Sequence, residues 1–372
     1  MTLQNEQKIL RTTTVIAVMT MFMIGTISPI MTHAYAVNNQ TLSEDYASDM
    51  IKKNYPAELS KIQLEDIKNI ALADLKVQQT INGKPFTFMS QGFLGNIKET
   101  PIVWHPTINI NVNNETNVVV VVDTTNKSTL SMQATNLHKS GTLPKAAVTH
   151  AAFASDYYTG SATVSGIGAT LTAPTYISTP NVLFLVNGLE SAANDASACN
   201  SAFKFNNYFG QAGFYFAARS VAYTDTSFNC IVQNTGMTYA PGDPYFFQVY
   251  STSGFKWNIV SSDLSSGQSF VYTTTFTTFA NTLQTSNINT STWVENQDTT
   301  TTWASKFTPS SLTATTGKYR DSTTGTWTNW NLDSQVVKDC SGNTQTQNVM
   351  NNNLRNGNTQ TWNLVNFQVW HC

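Results

Sequence analysis

The chain has 372 residues, of which 41% are hydrophobic and only 11% are charged, and its net charge is −2. This length leaves room for about two domains with a sizeable core. The low and nearly balanced charge excludes the basic surface of a nucleic-acid-binding protein and gives no sign of a strongly charged partner. The surface must instead be made soluble by Ser, Thr, Asn and Gln.

Residues 1–36 are predicted to form an export signal. Lys8 and Arg11 form a basic start, residues 15–30 are mostly apolar, and Ala34-Tyr35-Ala36 fits a small-x-small cleavage site. We therefore expect a protein that is secreted or displayed at the cell surface. The alternative is an uncleaved N-terminal membrane anchor, because the apolar stretch is barely long enough to span a bilayer.

The four cysteines all lie in the C-terminal part of the chain, at Cys199, Cys230, Cys340 and Cys372. An even number of cysteines in an oxidising compartment indicates disulfides, and three pairings are possible. We favour Cys199 with Cys230 and Cys340 with Cys372, because each pair closes a loop-rich stretch and the second holds the chain terminus. No Cys-x-x-Cys pair occurs, so a zinc site is not expected.

Residues 37–148 are predicted to form a small α+β domain. Residues 41–78 indicate helix: Thr41 and Glu44 resemble a capping box, and Pro56 separates a first helix from a second over 57–78. The second helix carries an apolar stripe, and three alternating segments predict the sheet that it packs against. The stripe consists of Leu64, Ile67, Ala71 and Leu75, and the strands are predicted over 108–112, 118–122 and 130–133.

Residues 149–372 change to short β-type segments separated by Gly, Pro, Asn and Ser. Their abundance of Thr, Tyr, Phe, Trp and Val, and their spacing over more than two hundred residues, predict an all-β sandwich. The candidate strands are 160–164, 168–173, 182–187, 210–217, 245–250, 256–261, 269–276 and 363–370.

This C-terminal region contains only two glutamates, Glu190 and Glu295. Strand alternation puts Trp293 and Glu295 on the same face, where a large ring partly desolvates the carboxylate and suits it to proton transfer. Gln211 lies in a second strand-like segment, and its amide can stabilise an oxyanion or hold a water molecule. The alternative is that Gln211 and Glu295 are ordinary polar positions on one face of a sheet.

Four segments in order resemble the glutamic peptidases, or eqolisins, over about residues 150–305. They are Val186-Asn187-Gly188-Leu189-Glu190, Gly210-Gln211-Ala212-Gly213-Phe214, Ala240-Pro241-Gly242-Asp243 and Trp293-Val294-Glu295. The resemblance implies a concanavalin-like sandwich of two antiparallel sheets, with Gln211 and Glu295 as the catalytic pair. The family's tryptophan before the Gly-Ile-Asp sequence is absent here, its acid corresponds to Glu190, and its aromatic cleft segment is not recognisable.

By this resemblance Glu295 would act as general base and then as acid, while Gln211 would hold the water and stabilise the oxyanion. Glu190 would either support the pair or be a carboxylate of a surface loop, Trp293 fits the core better than a substrate contact, and Asp243 fits a turn. The resemblance implies a monomer with a polypeptide substrate, an acidic optimum, and no metal or organic cofactor. Residues 37–148 would be either a prosegment that covers the site or assists folding, or a plain accessory domain.

Two other functions stay open. A non-catalytic, lectin-like surface or adhesion protein would bind glycans through exposed tryptophans, for which Trp303, Trp327 and Trp330 are candidates. A glycosidase would need two facing carboxylates, which Glu190 and Glu295 could supply, but it leaves Gln211 without a role. No motif of a serine hydrolase, zinc peptidase or phosphate-binding loop occurs.

Overall fold

The computed structural model describes a large part of the chain between residues 40 and 363. The described ranges are 40–113, 115–136, 152–157, 164–173, 175–176, 182–191, 198–206, 211–219, 231–253, 256–275, 288–296, 307–308, 311–329, 334–338, 354–356 and 359–363. The predicted export signal lies outside these residues, as do Cys230, Cys340 and Cys372. The disulfide pairing therefore stays a prediction.

Three helices form between residues 44 and 81: α1 (Glu44–Lys53), α2 (Lys61–Ala73) and α3 (Leu75–Ile81). The predicted cap at Thr41 is wrong, because the Ser43 side chain accepts the first free backbone N–H, from Tyr46, at 3.2 Å. A capping box does form at the second helix, between Ser60 and Gln63.

The single helix predicted over 57–78 is wrong, because Asp74 divides it. Asp74 has an extended ψ of 128°, and its carboxylate accepts the backbone N–H groups of Lys76 and Val77 at 2.8 and 3.2 Å. An aspartate that bonds to nearby backbone groups competes with the helix and starts a new one. The break also changes the buried stripe: Ile67 and Ala71 are buried as predicted, whereas Leu75 is 71% exposed.

Replacing Asp74 with alanine should lower the free energy of unfolding by about 1 kcal/mol, because two backbone N–H groups lose their acceptor. Urea unfolding of the chain checks this. Asp66→Ala, on the exposed side of α2, is the matched control and should change the free energy by no more than about 0.5 kcal/mol. Equal effects of the two substitutions would show that Asp74 does not act as a cap.

The described strands are, in chain order, β1 (Phe86–Asn96), β2 (His105–Val112), β3 (Thr116–Asp123), β4 (Ser128–Asn136), β5 (Ala152–Tyr157), β6 (Val164–Thr172), β7 (Thr175–Tyr176), β8 (Val182–Ser191), β9 (Ala198–Asn206), β10 (Gln211–Arg219), β11 (Ile231–Asn234), β12 (Pro244–Ser253), β13 (Lys256–Asp263), β14 (Gln268–Thr275), β15 (Ile288–Asn296), β16 (Phe307–Thr308), β17 (Ser311–Asp321), β18 (Trp327–Asn329), β19 (Ser334–Lys338), β20 (Leu354–Asn356) and β21 (Thr359–Asn363).

These strands form two large antiparallel sheets and one short pair. The larger sheet has twelve strands in the order β20-β21-β17-β6-β12-β13-β14-β1-β2-β3-β4, with β18 beside β17. The smaller sheet has seven strands in the order β11-β10-β9-β8-β15-β5-β19, and β16 pairs with β7. Strands β6, β12 and β13 of the larger sheet contact β8 and β9 of the smaller one. The predicted all-β sandwich is confirmed.

Alternation along β12 assigns the two faces of the larger sheet. Tyr245, Phe247 and Val249 are fully buried and lie on the inner face, toward the smaller sheet. Phe246 lies on the outer face, where Ala47 and Ile51 of α1 cover it. The helix therefore adds a third layer outside the sandwich, and the middle of β12 is buried on both faces.

The N-terminal and C-terminal segments share one sheet. Strand β1 pairs with β14 over four residues, from Phe93 opposite Val271 to Asn96 opposite Gln268. Residues 41–372 form one compact unit. Whether residues 37–148 and 149–372 fold as separate domains stays a prediction, but backbone hydrogen bonds join the two segments.

Helices α2 and α3 pack against the part of the larger sheet that was predicted for them. Ile67, Ala71, Val77 and Ile81 form one buried cluster with alternate residues of β2 and β3. The three strands predicted over 108–112, 118–122 and 130–133 are confirmed as β2, β3 and β4. Within the described ranges, no helix is long and apolar enough to span a bilayer.

Candidate functional site

The four predicted site residues lie in strands of the smaller sheet. Gln211 begins β10, Glu190 lies near the end of β8, and Trp293 and Glu295 lie in β15. The predicted strand 210–217 is therefore confirmed from Gln211 onward, Gly210 lies outside the described residues, and the segment around Glu295 is a strand. The catalytic roles of these residues stay predictions.

The pairing register gives the face of each position, because residues directly opposite in neighbouring strands share a face. Glu295 is opposite Phe184, which is opposite Lys204, which is opposite Gly213. Gln211 precedes Gly213 by two residues and therefore shares its face. The same count puts Glu190 and Trp293 on this face, which we call the polar face.

Charged residues of the smaller sheet are concentrated on the polar face. The seven strands contain six charged residues, and the register puts five of them there, all except Asp156. The five are Glu190, Lys204, Arg219, Glu295 and Lys338. A sheet with one apolar face and one polar face turns the apolar face to the core. A reaction that uses the charged side chains of this sheet is therefore expected on the polar face.

The opposite face of the smaller sheet is mainly apolar. It carries Phe203 and Phe205 of β9, Phe214 and Phe216 of β10, and Leu185 of β8. This composition matches the contacts of β8 and β9 with the inner face of the larger sheet. Gln211 and Glu295 thus occupy positions on the face directed away from the sandwich core.

Two strands, β9 and β8, separate β10 from β15. With a strand spacing of about 4.8 Å, a flat sheet would hold these two backbones about 14 Å apart. Two side chains that share one water molecule therefore require the polar face to be concave. Strand twist and coiling produce such curvature in large sheets.

Two lysines on the polar face were missed in the sequence. Lys204 and Lys338 lie in the same cross-strand row as Glu295, one on each side, with Phe184 and Phe153 between them. Alternation within one strand cannot find such neighbours, because β9 and β19 are distant from β15 in sequence. Only the pairing register brings these cations to the row of the predicted acid.

Asp243 lies in the turn before β12, as predicted. The Asp243 backbone N–H donates to the Ala240 carbonyl at 3.2 Å, and β12 begins at the next residue. Burial raises the pKa of the Asp243 carboxyl, and the nearby Asp263 carboxylate raises it further. Asp263 is 2% exposed and accepts the backbone N–H groups of Ser265 and Ser266.

Asp243, which lies near the Asp263 carboxylate, should make the fold less stable as pH rises. A carboxyl whose pKa is raised by folding keeps its proton to higher pH in the native state than in the unfolded state. Its destabilisation of the fold is therefore absent below the ordinary Asp pKa of about 4 and grows above it. Asp243→Asn should therefore raise the unfolding free energy at pH 7, by less than about 1 kcal/mol because the group is only partly buried. Urea unfolding at pH 3.5 and pH 7 measures the difference.

Asp321→Asn is the matched control and should act in the opposite direction. The backbone N–H groups of Thr324 and Thr323 lower the pKa of Asp321, so its stabilisation is present at neutral pH and lost as pH falls. If both asparagine variants changed the pH dependence in the same direction, the assignment of the Asp243 and Asp263 pair would be wrong.

The tryptophans proposed as glycan platforms are only partly described. Trp327 begins β18, is partly exposed, and meets the Tyr250 ring edge to face with centroids 5.9 Å apart. Trp303 and Trp330 lie outside the described residues. In the same described part of the chain, no group of three or more His, Cys, Asp or Glu side chains is arranged to hold a metal ion.

Comparison with known proteins finds similarity only at the level of solved structures. No family model and no curated protein sequence matches the chain. Scytalido-glutamic peptidase, solved with a peptide-based transition state analog, is 13% identical over 57% of this chain and 97% of its own, with a TM-score of 0.38. SCP-B, an eqolisin peptidase in complex with the tripeptide Ala-Ile-His, is 14% identical over 57% and 96%, with a TM-score of 0.37.

Proposed function

We propose that the chain is an extracytoplasmic acid endopeptidase in which Gln211 and Glu295 activate one water molecule. The observation that supports this most is the pairing register, in which both positions share the polar face of the smaller sheet. Glu190 and Trp293 have positions on the same face. We choose peptide hydrolysis as the reaction because four sequence segments, in order, resemble those of the glutamic peptidases.

In the proposed reaction the Glu295 carboxylate takes a proton from the water as its oxygen attacks the peptide carbonyl carbon. The carbonyl oxygen becomes an oxyanion, which the Gln211 amide N–H stabilises as a hydrogen-bond donor. Glu295 then gives the proton to the amide nitrogen, the C–N bond breaks, and the amine leaves. No metal or organic cofactor takes part in these steps.

Replacing Gln211 with alanine should lower kcat by about 10² to 10³, because one oxyanion donor is removed. The assay uses chain 41–372 and an unfolded protein substrate between pH 2 and pH 6, with new amino termini counted. Gln79→Ala, on the exposed side of α3, is the matched control and should keep the parental rate. Parental activity in Gln211→Ala would exclude the proposed role.

A further inference from the structure

A cleft of about 510 Å³ lies on the outer side of the larger sheet, remote from the smaller sheet. Its walls come from α1, from the connection between α1 and α2, and from β12, β13 and β18. We call it the outer cleft. Its volume falls within the range of about 300 to 1,000 Å³ that is common for small-molecule sites.

Three aromatic rings line the outer cleft: Tyr55, Tyr250 and Trp327. Trp327 is partly exposed, and its ring meets Tyr250 edge to face. Burial raises the pKa of both tyrosines, so their hydroxyl groups stay neutral over the physiological range. Tyr and Trp combine an apolar ring with a polar group, which suits ligands that carry both kinds of surface.

Two side-chain amides complete the lining, and both are fixed by hydrogen bonds. Gln248 is 2% exposed, and its amide nitrogen donates to the Ser48 hydroxyl at 2.9 Å. Asn258 is 4% exposed, and its carbonyl oxygen accepts from the Thr273 hydroxyl at 3.0 Å. Polar groups held in this way are oriented before a ligand arrives, which lowers the entropy cost of binding.

Lys52 lines the outer cleft from the exposed side of α1, and the other charged groups of the cleft interact with protein groups. Lys256 pairs with Glu58, and Asp49 pairs with Lys53 at 2.9 Å. Arg320 donates to the Ser165 hydroxyl and to the Ser251 carbonyl at 2.8 and 3.2 Å. The groups best placed to recognise a ligand are therefore rings, amides and hydroxyls, which favours a neutral ligand.

We propose that the outer cleft binds a neutral disaccharide. The C–H face of a pyranose packs on an aromatic ring, and its hydroxyl groups exchange hydrogen bonds with amides and phenols. Trp327 and Tyr250 supply the rings, while Gln248 and Asn258 supply the amides. This site is separate from Gln211 and Glu295, and its occupation does not require hydrolysis.

Calorimetric titration of chain 41–372 with maltose and with cellobiose tests the proposal. At least one of the two should bind, and Trp327→Ala and Gln248→Ala should each weaken that binding by about tenfold or more, which corresponds to about 1.4 kcal/mol. Phe86→Ala removes a ring that is 37% exposed outside the cleft, and it should leave the affinity unchanged. Glu295→Gln should also bind as the parent does, which separates this proposal from the peptidase.

Three results would overturn the proposal. The first is no binding of either sugar at concentrations up to tens of millimolar, with the thermal unfolding of the parent chain showing that it is folded. The second is equal binding by the parent, Trp327→Ala and Gln248→Ala. The third is tighter binding of digalacturonic acid or of a tripeptide than of the neutral disaccharides, which would assign the cleft to another class of ligand.

Discussion

Glu295→Gln should lower kcat/KM for an unfolded protein substrate at acidic pH by at least about 10³-fold. In the proposed reaction the same carboxyl acts as base toward water and as acid toward the leaving amine, and each proton transfer contributes about 10² to 10⁴. Glutamine keeps the size of the side chain but can neither take nor give the proton. The loss should therefore appear in kcat and not only in KM.

The control for this variant is Glu65→Gln, on the exposed side of α2 and paired with Lys68. It should retain the parental kcat/KM. Thermal unfolding of both variants should match the parent, so that a loss of activity is not a loss of fold. Substantial hydrolysis by the purified Glu295→Gln chain would exclude Glu295 as the acid and base.

A chain that begins at residue 149 should fail to fold. Without α1 and β1, four side chains of the sandwich lose their cover: Phe246, Val260, Leu264 and Val271. Exposing them costs about 1.5 to 3 kcal/mol each, and domains are stable by only about 5 to 15 kcal/mol in total. Strand β14 would also lose its partner β1 and present an open edge, which promotes aggregation.

Circular dichroism and thermal unfolding of three chains test this prediction. The full chain and chain 41–372 should both unfold cooperatively, because residues 41–372 form one compact unit. Chain 149–372 should give no cooperative transition and should sediment as aggregates. A cooperative transition in chain 149–372 near the parental midpoint would show that residues 41–148 are removable, as expected of a prosegment that is cut away.

The contacts of α1 with the larger sheet help to decide whether residues 37–148 cover the site, assist folding or form an accessory domain. Helix α1 covers the outer face of the larger sheet, and it bonds to that sheet through Thr170 and Gln248. The polar face belongs to the other sheet. A segment in this position stabilises the sandwich, and we infer that it acts on folding and not by covering Gln211 and Glu295.

Local patterns in the sequence predicted most of the elements with a clear period. The stripe of Ile67 and Ala71 and the alternation in β2 and β3 each follow from one face being buried. The helix break at Asp74 was missed because the apolar period continues through it to Leu75. A capping side chain overrode that period, and capping depends on the local backbone, not on hydrophobicity.

Strand β1 was missed because its sequence contains two glycines, Gly92 and Gly95, which are typical of loops. Both are required by aromatic side chains that lie outside β1. A Cβ atom at Gly92 would lie 2.2 Å from the Phe270 ring, and one at Gly95 would lie 2.7 Å from the Trp104 ring. Close ring packing across a strand thus explains residues that local propensity assigns to a loop.

The candidate site was predicted only in part, because local patterns do not reveal which strands pair. Alternation within β15 was enough to associate Trp293 with Glu295, and a resemblance of motifs selected Gln211. The shared face of Gln211 and Glu295, and the place of Lys204 in the row of Glu295, depend on three strand pairings that no local pattern specifies. The place of Lys338 depends on two more, between β15 and β5 and between β5 and β19.

The most direct test of the proposed catalytic pair is a crystal structure of chain 41–372 at acidic pH. The proposed function predicts that the Gln211 amide nitrogen and a Glu295 carboxylate oxygen each lie within about 3.2 Å of one shared water molecule. It would be contradicted by β10 and β15 backbones that remain about 14 Å apart, as in a flat sheet, with no water common to the two side chains.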